Sequence, residues 1–383
     1  MSSGMQVNHL AENIRHSNRV TFLTSIFKKG LKSKLSNLVE GYITVRDGEE
    51  SFSFGDSKSD FKAKVDIHSQ EFYTMTGSGG ALGIAEAYIL GYWSADDVVV
   101  LMRILLKNRS ILLSINNGLA KILNPINRII HKSRQNTLSG SKDNILAHYD
   151  LSNKFYELWL DPSMTYSCAY FSSSDSKLED ASIEKLDRIC RKLKFSDKDN
   201  ILEIGTGWGS FSIHAAKNYG CQVTTTTISD AQYEYAKSRI IEEGLDSKIK
   251  IINKDYRTLE GFYDKIVSIE MIEAVGYEFI PVYFKKLSSL LKPNGLMALQ
   301  GITYNDQNFD SYKDSVDFIK KYIFPGSCLI SVSQIIDVIK TKTDLSMIDM
   351  EDITRHYAET LKRWRNNFMK ALPEVKEMGY SRS

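Results

Sequence analysis

The sequence predicts an α/β protein whose larger part is a doubly wound, mostly parallel sheet, preceded by a smaller α+β domain. From about residue 196 onward, short apolar runs alternate with helical periodicity, the pattern of strand–helix–strand units. Before residue 110, alternating apolar and polar residues give way to apolar helical patterns. The length of 383 residues also exceeds what one small hydrophobic core organises. We therefore divide the chain into an accessory domain at 1–110, a basic linker at 111–144 and a main domain at 145–383.

The accessory domain begins with a predicted β-meander at 41–67, where apolar and polar residues alternate around Asp47-Gly48 and Gly55-Asp56. The glycines of GSGG at 77–80 then introduce a predicted short helix, LGIAEAYILGYW. A second helix, DDVVVLMRILLKN, begins with two aspartates that suit a helix amino terminus. In the main domain, five apolar runs predict the strands: NILEIG, QVTTTTIS, KIKIINKD, DKIVSIE and GLMALQGI.

Composition narrows the functional class. The 49 Lys and Arg residues nearly balance the 47 Asp and Glu residues, which argues against a dedicated nucleic-acid binder. The four cysteines are scattered without zinc spacing, so we expect no metal site and a reducing compartment. No signal peptide is recognisable, and no run of about 18 apolar residues is present to span a membrane. We expect a cytoplasmic protein.

Two basic stretches break this balance. Residues 13–39 carry six Lys or Arg residues and 98–142 carry eight, and neither stretch contains an acid. Solvated helix faces would explain either stretch alone. Apolar residues interleave with the cations at helical spacing, and few aromatic residues are present for base stacking. Two such stretches favour peripheral binding to an anionic phospholipid bilayer over nucleic acid.

The strongest local motif is ILEIGTGWG at 201–209, a glycine-rich turn between a predicted strand and a helix. Such a turn lets a ligand approach the backbone, as in dinucleotide-binding folds. However, the acid Glu203 precedes the glycines, and the second strand ends in threonines at 224–227 without an acid for a ribose. This disfavours an NAD-type dehydrogenase. E-x-G-x-G instead resembles the S-adenosylmethionine (SAM) loop of class I methyltransferases.

Longer motifs make the resemblance specific. The chain resembles the cyclopropane-fatty-acyl-phospholipid synthases and mycolic acid cyclopropane synthases from about residue 40 to 380, including GSGGALGIAEAYILGYW of the accessory domain. The matching motifs of the main domain are HYDLSNKFYELWLDPSMTYSCAYF at 148–171, TTTTISDAQYEYA at 224–236, KDYRTL at 254–259, SIEMIEAVGYEF at 268–279, DFIKKYIFPGSCL at 317–329 and HYAETLKRW at 356–364. The resemblance implies the class I methyltransferase fold.

The resemblance also implies a reaction. A cis alkene of a phospholipid acyl chain takes the methyl group of SAM, and a base removes a proton from the resulting cation so that a cyclopropane ring closes. Such a cation needs electron-rich aromatic neighbours in a dry site. The candidates are Tyr166, Tyr170, Phe171, Tyr304 and Tyr357.

In the resembling enzymes the base is a bound bicarbonate ion. Matching by motif, we expect Glu273, Tyr357, Gln300 and the backbones of Cys168 and Ile302 to hold it, with Glu273 as the strongest candidate. Gln300 departs from the histidine of many bacterial members, and glutamine donates a hydrogen bond but does not titrate near neutral pH. This departure keeps open a related enzyme that makes a methyl-branched lipid or methylates a small molecule.

The resemblance likewise implies a SAM pocket. Thr227 and Gln232 are expected near the ribose, and Tyr256 against the adenine. The full set is Tyr166, Ser167, Glu203, Gly205, Gly207, Thr227, Gln232, Tyr256 and Arg257. We expect Trp159, Trp208, Trp364 and His148 to serve packing or a lipid channel rather than catalysis. Relative to the family, we expect the chain to lack a last helix and strand, so a catalytically impaired homologue that only binds lipid stays open. Homodimer formation is also left open.

Overall fold

The structure is a computed structural model that describes residues 22–116 and 151–380. The chain divides into two compact units, one built mainly from residues up to 130, together with 315–318, and the other from most of the chain after residue 130. Most of the predicted linker and His148 lie outside the described residues. In the described ranges, no helix is both long and apolar enough to cross a membrane.

The N-terminal unit is a four-stranded sheet with helices. Its elements in chain order are α1 at 22–35, β1 Tyr42–Asp47, β2 Glu50–Gly55, β3 Lys62–Ile67, α2 Glu71–Ile89, β4 Trp93–Ala95, α3 Val98–Lys107 and α4 Arg109–Asn116. The sheet order is β2-β1-β3-β4. Strand β1 pairs with β2 as an antiparallel hairpin but with β3 in parallel.

The predicted meander is therefore wrong in its topology. In a meander, β3 would pair with β2, whereas here it crosses to the other side of β1. The reason lies in burial. Strands β1 and β3 each present alternate buried apolar residues, such as Ile43 and Val65, whereas β2 is mostly exposed. The two apolar strands share the core, and the polar strand takes the edge.

The helices of this unit follow the prediction in part. Asp97 caps α3, since its Oδ1 accepts hydrogen bonds from the amides of Val99 (2.8 Å) and Val100 (3.1 Å). Helix α2 begins at Glu71, well before the predicted start at GSGG, and kinks at Gly80, whose φ is +60°. The glycines interrupt this helix rather than introduce it, because only glycine adopts that backbone geometry at low cost.

The C-terminal unit contains a five-stranded sheet with helices on both faces. Its helices are α5 Asn153–Glu157, α6 Leu178–Lys192, α7 Ser210–Tyr219, α8 Asp230–Glu242, α9 Ile280–Leu290, α10 Phe309–Lys313, α11 Val332–Lys342, α12 Thr354–Lys370 and α13 Leu372–Glu377. Its strands are β5 Asn200–Ile204, β6 Gln222–Thr227, β7 Ile249–Asn253, β8 Tyr263–Ile269, β9 Leu291–Gln300 and the short pair β10 Thr303–Tyr304 and β11 Ile330–Ser331. Short 3₁₀ turns lie at Tyr256–Thr258, Ile272–Ala274, Tyr277–Phe279 and Asp306–Asn308, and a π-turn lies at Ile319–Ile323.

All five predicted strands are confirmed, and they pair in parallel in the order β7-β6-β5-β8-β9. Alternate residues of the central strands enter different cores. Ile201 and Val267 pack with α6 and α7, whereas Leu202 and Ile266 pack with α9 and α11. Because both faces are covered, β5 carries apolar residues toward both faces, at Ile201, Leu202 and Ile204, which is why its strand was recognisable. The doubly wound prediction is confirmed.

Candidate active site

The site-bearing residues gather at the carboxyl ends of the parallel strands. This edge of a doubly wound sheet is where ligands bind, beside the point at which the strand order reverses. The glycine loop follows β5, Thr227 ends β6, the Tyr256 turn follows β7, Glu270 follows β8 and Gln300 ends β9. The tertiary structure thus brings residues from five separate motifs to one edge.

The glycine loop offers open backbone. The amides of Gly205 and Thr206 donate to the carbonyl of Thr226 at 3.1 and 2.9 Å, which ties the loop to β6. Gly205 and Gly207 have φ values of +96° and +52°. A Cβ on Gly205 would lie 3.3 Å from Cγ of Met271, whereas a Cβ on Gly207 would meet nothing within 4 Å. The loop therefore fits a ligand such as SAM that approaches the backbone closely.

Glu203 stands behind this loop. Its buried carboxylate accepts a hydrogen bond from Thr225 Oγ1 at 2.6 Å, and that hydroxyl lies 2.7 Å from Thr206 Oγ1. Burial raises the pKa of Glu203 to about 8. The residue thus connects the end of β5 to the loop through threonine hydroxyls and positions the backbone there.

Four of the remaining predicted SAM residues form two pairs, Thr227 with Gln232 and Tyr256 with Arg257. Thr227 Oγ1 donates to Gln232 Oε1 at 3.0 Å, and both residues are buried. Within the described residues, Gln232 Nε2 donates to no protein group, so it suits a polar ligand such as a ribose. Arg257 pairs with Asp255 in the same turn at 2.6 Å, and its guanidinium lies 5.5 Å from the Tyr256 ring centroid. Arg257 therefore braces the turn that carries Tyr256.

Glu270 is the centre of the polar cluster. Its Oε1 accepts hydrogen bonds from the Cys168 amide at 2.7 Å and from Gln300 Nε2 at 2.8 Å. Its Oε2 accepts one from the Tyr357 hydroxyl at 3.2 Å. These three donors come from distant parts of the sequence, and the motif comparison had assigned all three to bicarbonate. They converge instead on a carboxylate that belongs to the chain.

Glu273 lies in the 3₁₀ turn that follows. Its Oε1 accepts a hydrogen bond from the Ile302 amide, the fourth predicted bicarbonate ligand. Its Oε2 is buried and has no hydrogen-bond partner among the described residues. The four predicted donors therefore bind the chain's own carboxylates, which leaves none of these donors free for an added bicarbonate ion.

The two carboxyl groups, Glu270 and Glu273, differ in how readily each holds a proton. Burial and the neighbouring negative charge of Glu270 raise the pKa of Glu273 to about 8. Burial also raises the pKa of Glu270, but three hydrogen bonds and the Lys185 ammonium oppose that effect. The pair titrates together, and the proton rests more favourably on Glu273, which has one donor and an unpaired oxygen. Glu270 is then the anionic partner.

Lys185 is a buried cation that interacts with Glu270. It is 3% exposed, and its ammonium donates to Ser167 Oγ at 2.6 Å. Burial lowers the pKa of Lys185 to about 8, although attraction to Glu270 works against this. Burial and the charge of Glu270 raise the pKa of the Cys168 thiol to about 12, so the thiol stays protonated. Cys168 therefore acts through its backbone amide.

The predicted aromatic residues separate into three places. Tyr166 packs against Trp159 and Trp364, with ring centroids 5.5 and 5.3 Å apart, and Tyr357 lies 6.3 Å from Trp364. The other candidates lie in different packing environments. Tyr170 stacks on His356 at 4.2 Å with Phe171 on the same histidine at 6.4 Å, and Tyr304 stacks on Tyr312 at 4.0 Å. Only the Tyr166 and Tyr357 group includes a hydrogen-bond partner of Glu270. Trp159, Trp208 and Trp364 are buried in that same aromatic core, in keeping with a packing role.

Sequence reasoning missed Glu270 and Lys185. Both carried a signal. Glu270 is the first residue after an apolar strand, where ligand-facing residues of an α/β sheet lie. Lys185 lies on the buried face of α6, together with Ser182, Leu186 and Ile189. A lysine on an apolar stripe is seldom buried unless it is paired, so this position pointed to an interior anion.

The chain is similar in sequence to known proteins. Residues 136–383 match the family model described as mycolic acid cyclopropane synthetase. The chain is 35% identical over 315 residues to a tuberculostearic acid methyltransferase of Mycobacterium tuberculosis, covering 79% of this chain and 72% of the relative. It is 34% identical over 317 residues to the cyclopropane-fatty-acyl-phospholipid synthase of Escherichia coli, covering 82% of this chain and 78% of the relative.

Solved structures of similar fold lead to the same family. The fold is similar to that of a cyclopropane synthase from Mycobacterium tuberculosis, with a TM-score of 0.58 and 28% identity over 62% of this chain and 86% of that one. It is also similar to a mycolic acid cyclopropane synthase complexed with SAH and CTAB, with a TM-score of 0.57 and 28% identity over 61% and 85% of the two chains. The predicted class I fold is confirmed. The chain belongs to the mycolic acid cyclopropane synthetase family of SAM-dependent methyltransferases.

Proposed function

We propose that the protein transfers one carbon from SAM to a cis double bond in a phospholipid acyl chain and forms a cyclopropane ring. The observation that carries the proposal is the buried carboxylate of Glu270, held by three donors beside the glycine loop. Ring closure requires removal of a proton from a carbon atom, and a fixed carboxylate in a dry site suits that task. The curated relative from Escherichia coli carries this activity in its name.

We assign different roles in this reaction to the residues of the site. SAM, when bound, supplies an electrophilic methyl group. The glycine loop, Thr227 and Gln232 would hold it, with Tyr256 against its adenine. Tyr166 and Tyr357 present electron-rich rings beside the carboxylate cluster and would stabilise positive charge on the acyl chain. The enclosed aromatic surroundings would exclude water, which would otherwise capture the cation.

A second candidate is a related carbon methylation that leaves a methyl-branched lipid without a ring. The specific observation in its favour is the similarity to a tuberculostearic acid methyltransferase. The two reactions share the methyl transfer and differ in which proton leaves. The same product analysis distinguishes them.

We also propose that the N-terminal unit binds an anionic phospholipid surface. Helix α3 exposes Val99, Met102 and Leu106, which are spaced for one helix face, with exposed fractions of 39%, 45% and 61%. Arg103 and Arg109 are exposed beside them and form no ion pair with any residue that the structure describes. Exposed apolar side chains flanked by exposed cations match an interfacial helix.

The catalytic proposal is tested by incubating the chain with SAM and vesicles of cis-monounsaturated anionic phospholipid. Mass spectrometry of the acyl chains should show a gain of one CH₂ with loss of the double bond. A methyl gain with a retained double bond would favour the second candidate. Methylation of soluble amines but not of lipid would refute both.

The docking proposal is tested by vesicle sedimentation. Leu106→Glu should weaken binding to anionic vesicles, and raised salt should weaken it further. Ile241→Glu is the matched control, because Ile241 is similarly exposed at 58% but lies in the other unit. Binding that ignores both the lipid charge and Leu106→Glu would contradict the proposal.

A further inference from the structure

The position of Glu270 is unusual for a glutamate. Its φ is +49°, a left-handed conformation that non-glycine residues adopt infrequently and at some cost. Its amide donates to the Gln300 carbonyl at 2.8 Å, which holds the backbone in place at the end of β8. The chain therefore retains a side chain where glycine would be easier to accommodate.

That side chain reaches the place where an anion was expected. The Cys168 amide, Gln300 Nε2 and the Tyr357 hydroxyl all donate to its two oxygens within 3.2 Å. A carboxylate and a bicarbonate ion share the same planar pair of negatively charged oxygens. Three donors that suit one therefore suit the other. Lys185 adds a buried positive charge that favours an anion at this point.

We propose that Glu270 takes the place of a bound bicarbonate ion and is itself the base of the reaction. This rests on the proposed function. After the alkene has taken the methyl group and the carbon–sulfur bond has broken, the acyl chain carries the positive charge. A proton leaves the added methyl carbon and arrives on a carboxylate oxygen of Glu270. The electron pair of that carbon–hydrogen bond forms the last carbon–carbon bond of the ring, so no other reactant is needed.

The neighbouring groups prepare Glu270 for this role. Glu273 holds the shared proton of the pair, which leaves Glu270 ionised. Its partners Gln300 and Tyr357 are fixed in turn, one at the end of β9 and the other in α12. The net reaction releases one proton for each ring formed, so Glu270 must lose its proton to solvent before the next turnover.

The first test compares buffers with and without bicarbonate. Wild-type turnover should be unchanged in carbon-dioxide-free buffer, because the base is part of the chain. Glu270→Gln should lower kcat by about 10²–10⁴-fold, the usual contribution of a positioned base. Affinity for SAH should stay within about threefold, which separates lost chemistry from a lost pocket. The matched control is Glu260→Gln, in an exposed turn after β7, which should behave as wild type.

The second test needs no turnover. Glu270→Gly removes the carboxylate, suits the left-handed backbone and leaves the three donors facing a vacated space. Titration with ¹³C-labelled bicarbonate should show stronger binding to this variant than to wild type. Equal binding by the two proteins would overturn the proposal.

The outcomes separate this inference from the proposed function. If wild type forms a methylated lipid whose yield falls when bicarbonate is removed, the proposed function stands and the role of Glu270 is refuted. Turnover by Glu270→Gln within threefold of wild type also refutes it. If wild type methylates no lipid, the proposed function fails, whereas the bicarbonate titration still tests what the three donors hold.

Discussion

Replacing Gly205 by alanine tests whether the glycine loop holds the nucleotide ligand. At a φ of +96°, an alanine is strained, and its Cβ would lie 3.3 Å from Met271 Cγ and 3.4 Å from Met271 Cβ. We expect a cost of about 1–3 kcal/mol for the backbone conformation alone. The loop can relieve this strain only by moving, and moving displaces the backbone that a ligand would approach.

The chain offers a matched control in Gly220. Its φ is +72°, and a Cβ there would lie 3.3 Å from Cβ of Asp197, so the local penalty is similar. Gly220 ends α7 and precedes β6, at the amino-terminal edge of the sheet, opposite the site. Both variants should therefore lower the melting temperature by several degrees, since about 1 kcal/mol corresponds to about 2–4 °C in a domain of this size.

Only Gly205→Ala should affect ligand binding. If the loop shifts to relieve about 1–3 kcal/mol, SAH affinity falls by about 5–150-fold. The affinity of Gly220→Ala should stay within about twofold of wild type. Isothermal titration calorimetry with SAH gives both values. An equal loss of affinity in the two variants would show a general effect of destabilisation, and no loss in Gly205→Ala would remove the loop from the binding site.

Three further predictions concern charge. Glu273→Gln replaces a carboxyl group that is still protonated when Glu270 titrates. The acid limb of the kcat/KM profile, which Glu270 sets, should therefore keep its position, and a limb that moves to lower pH would show that Glu273 ionises before Glu270. Lys185→Met removes the buried cation, so the pKa of Glu270 rises further and the same limb should move to higher pH; a shift to lower pH would contradict this. In the N-terminal unit, burial opposes ionisation of Asp47, but hydrogen bonds from Lys28 and two neutral donors outweigh it and hold its pKa below the ordinary 3.8. The ionised Asp47 carboxylate stabilises the folded unit fully above the ordinary pKa of 3.8, and this stabilisation is lost as the pH falls through the lower pKa of the folded state. Asp47→Asn should therefore destabilise the unit by about 1–3 kcal/mol at neutral pH and by less near pH 3. Thermal unfolding at both pH values measures this, and equal losses would refute the electrostatic argument.

Some features of the site could be predicted from the sequence, and others could not. The glycine loop was predictable, because the ligand-facing backbone, the strand before it and the helix after it are contiguous. The identity of the base was not. Glu270 and Glu273 are three residues apart, and the motif alone favoured Glu273. Their different roles depend on donors from Cys168, Gln300 and Tyr357, which lie about 30 to 100 residues away along the chain.

The sequence by itself determined the strands of the catalytic unit, because local hydrophobic periodicity records which residues are buried on the two faces of a covered sheet. It did not determine how strands pair. The first three strands looked like a meander, yet β3 lies beside β1, since pairing follows the burial that the whole unit can achieve. The same limit applies to the chemistry. Periodicity marks Lys185 of α6 as facing inward, but only the fold brings its charge near the Glu270 carboxylate, which follows β8. There, low polarity and fixed hydrogen bonds determine which group holds the proton.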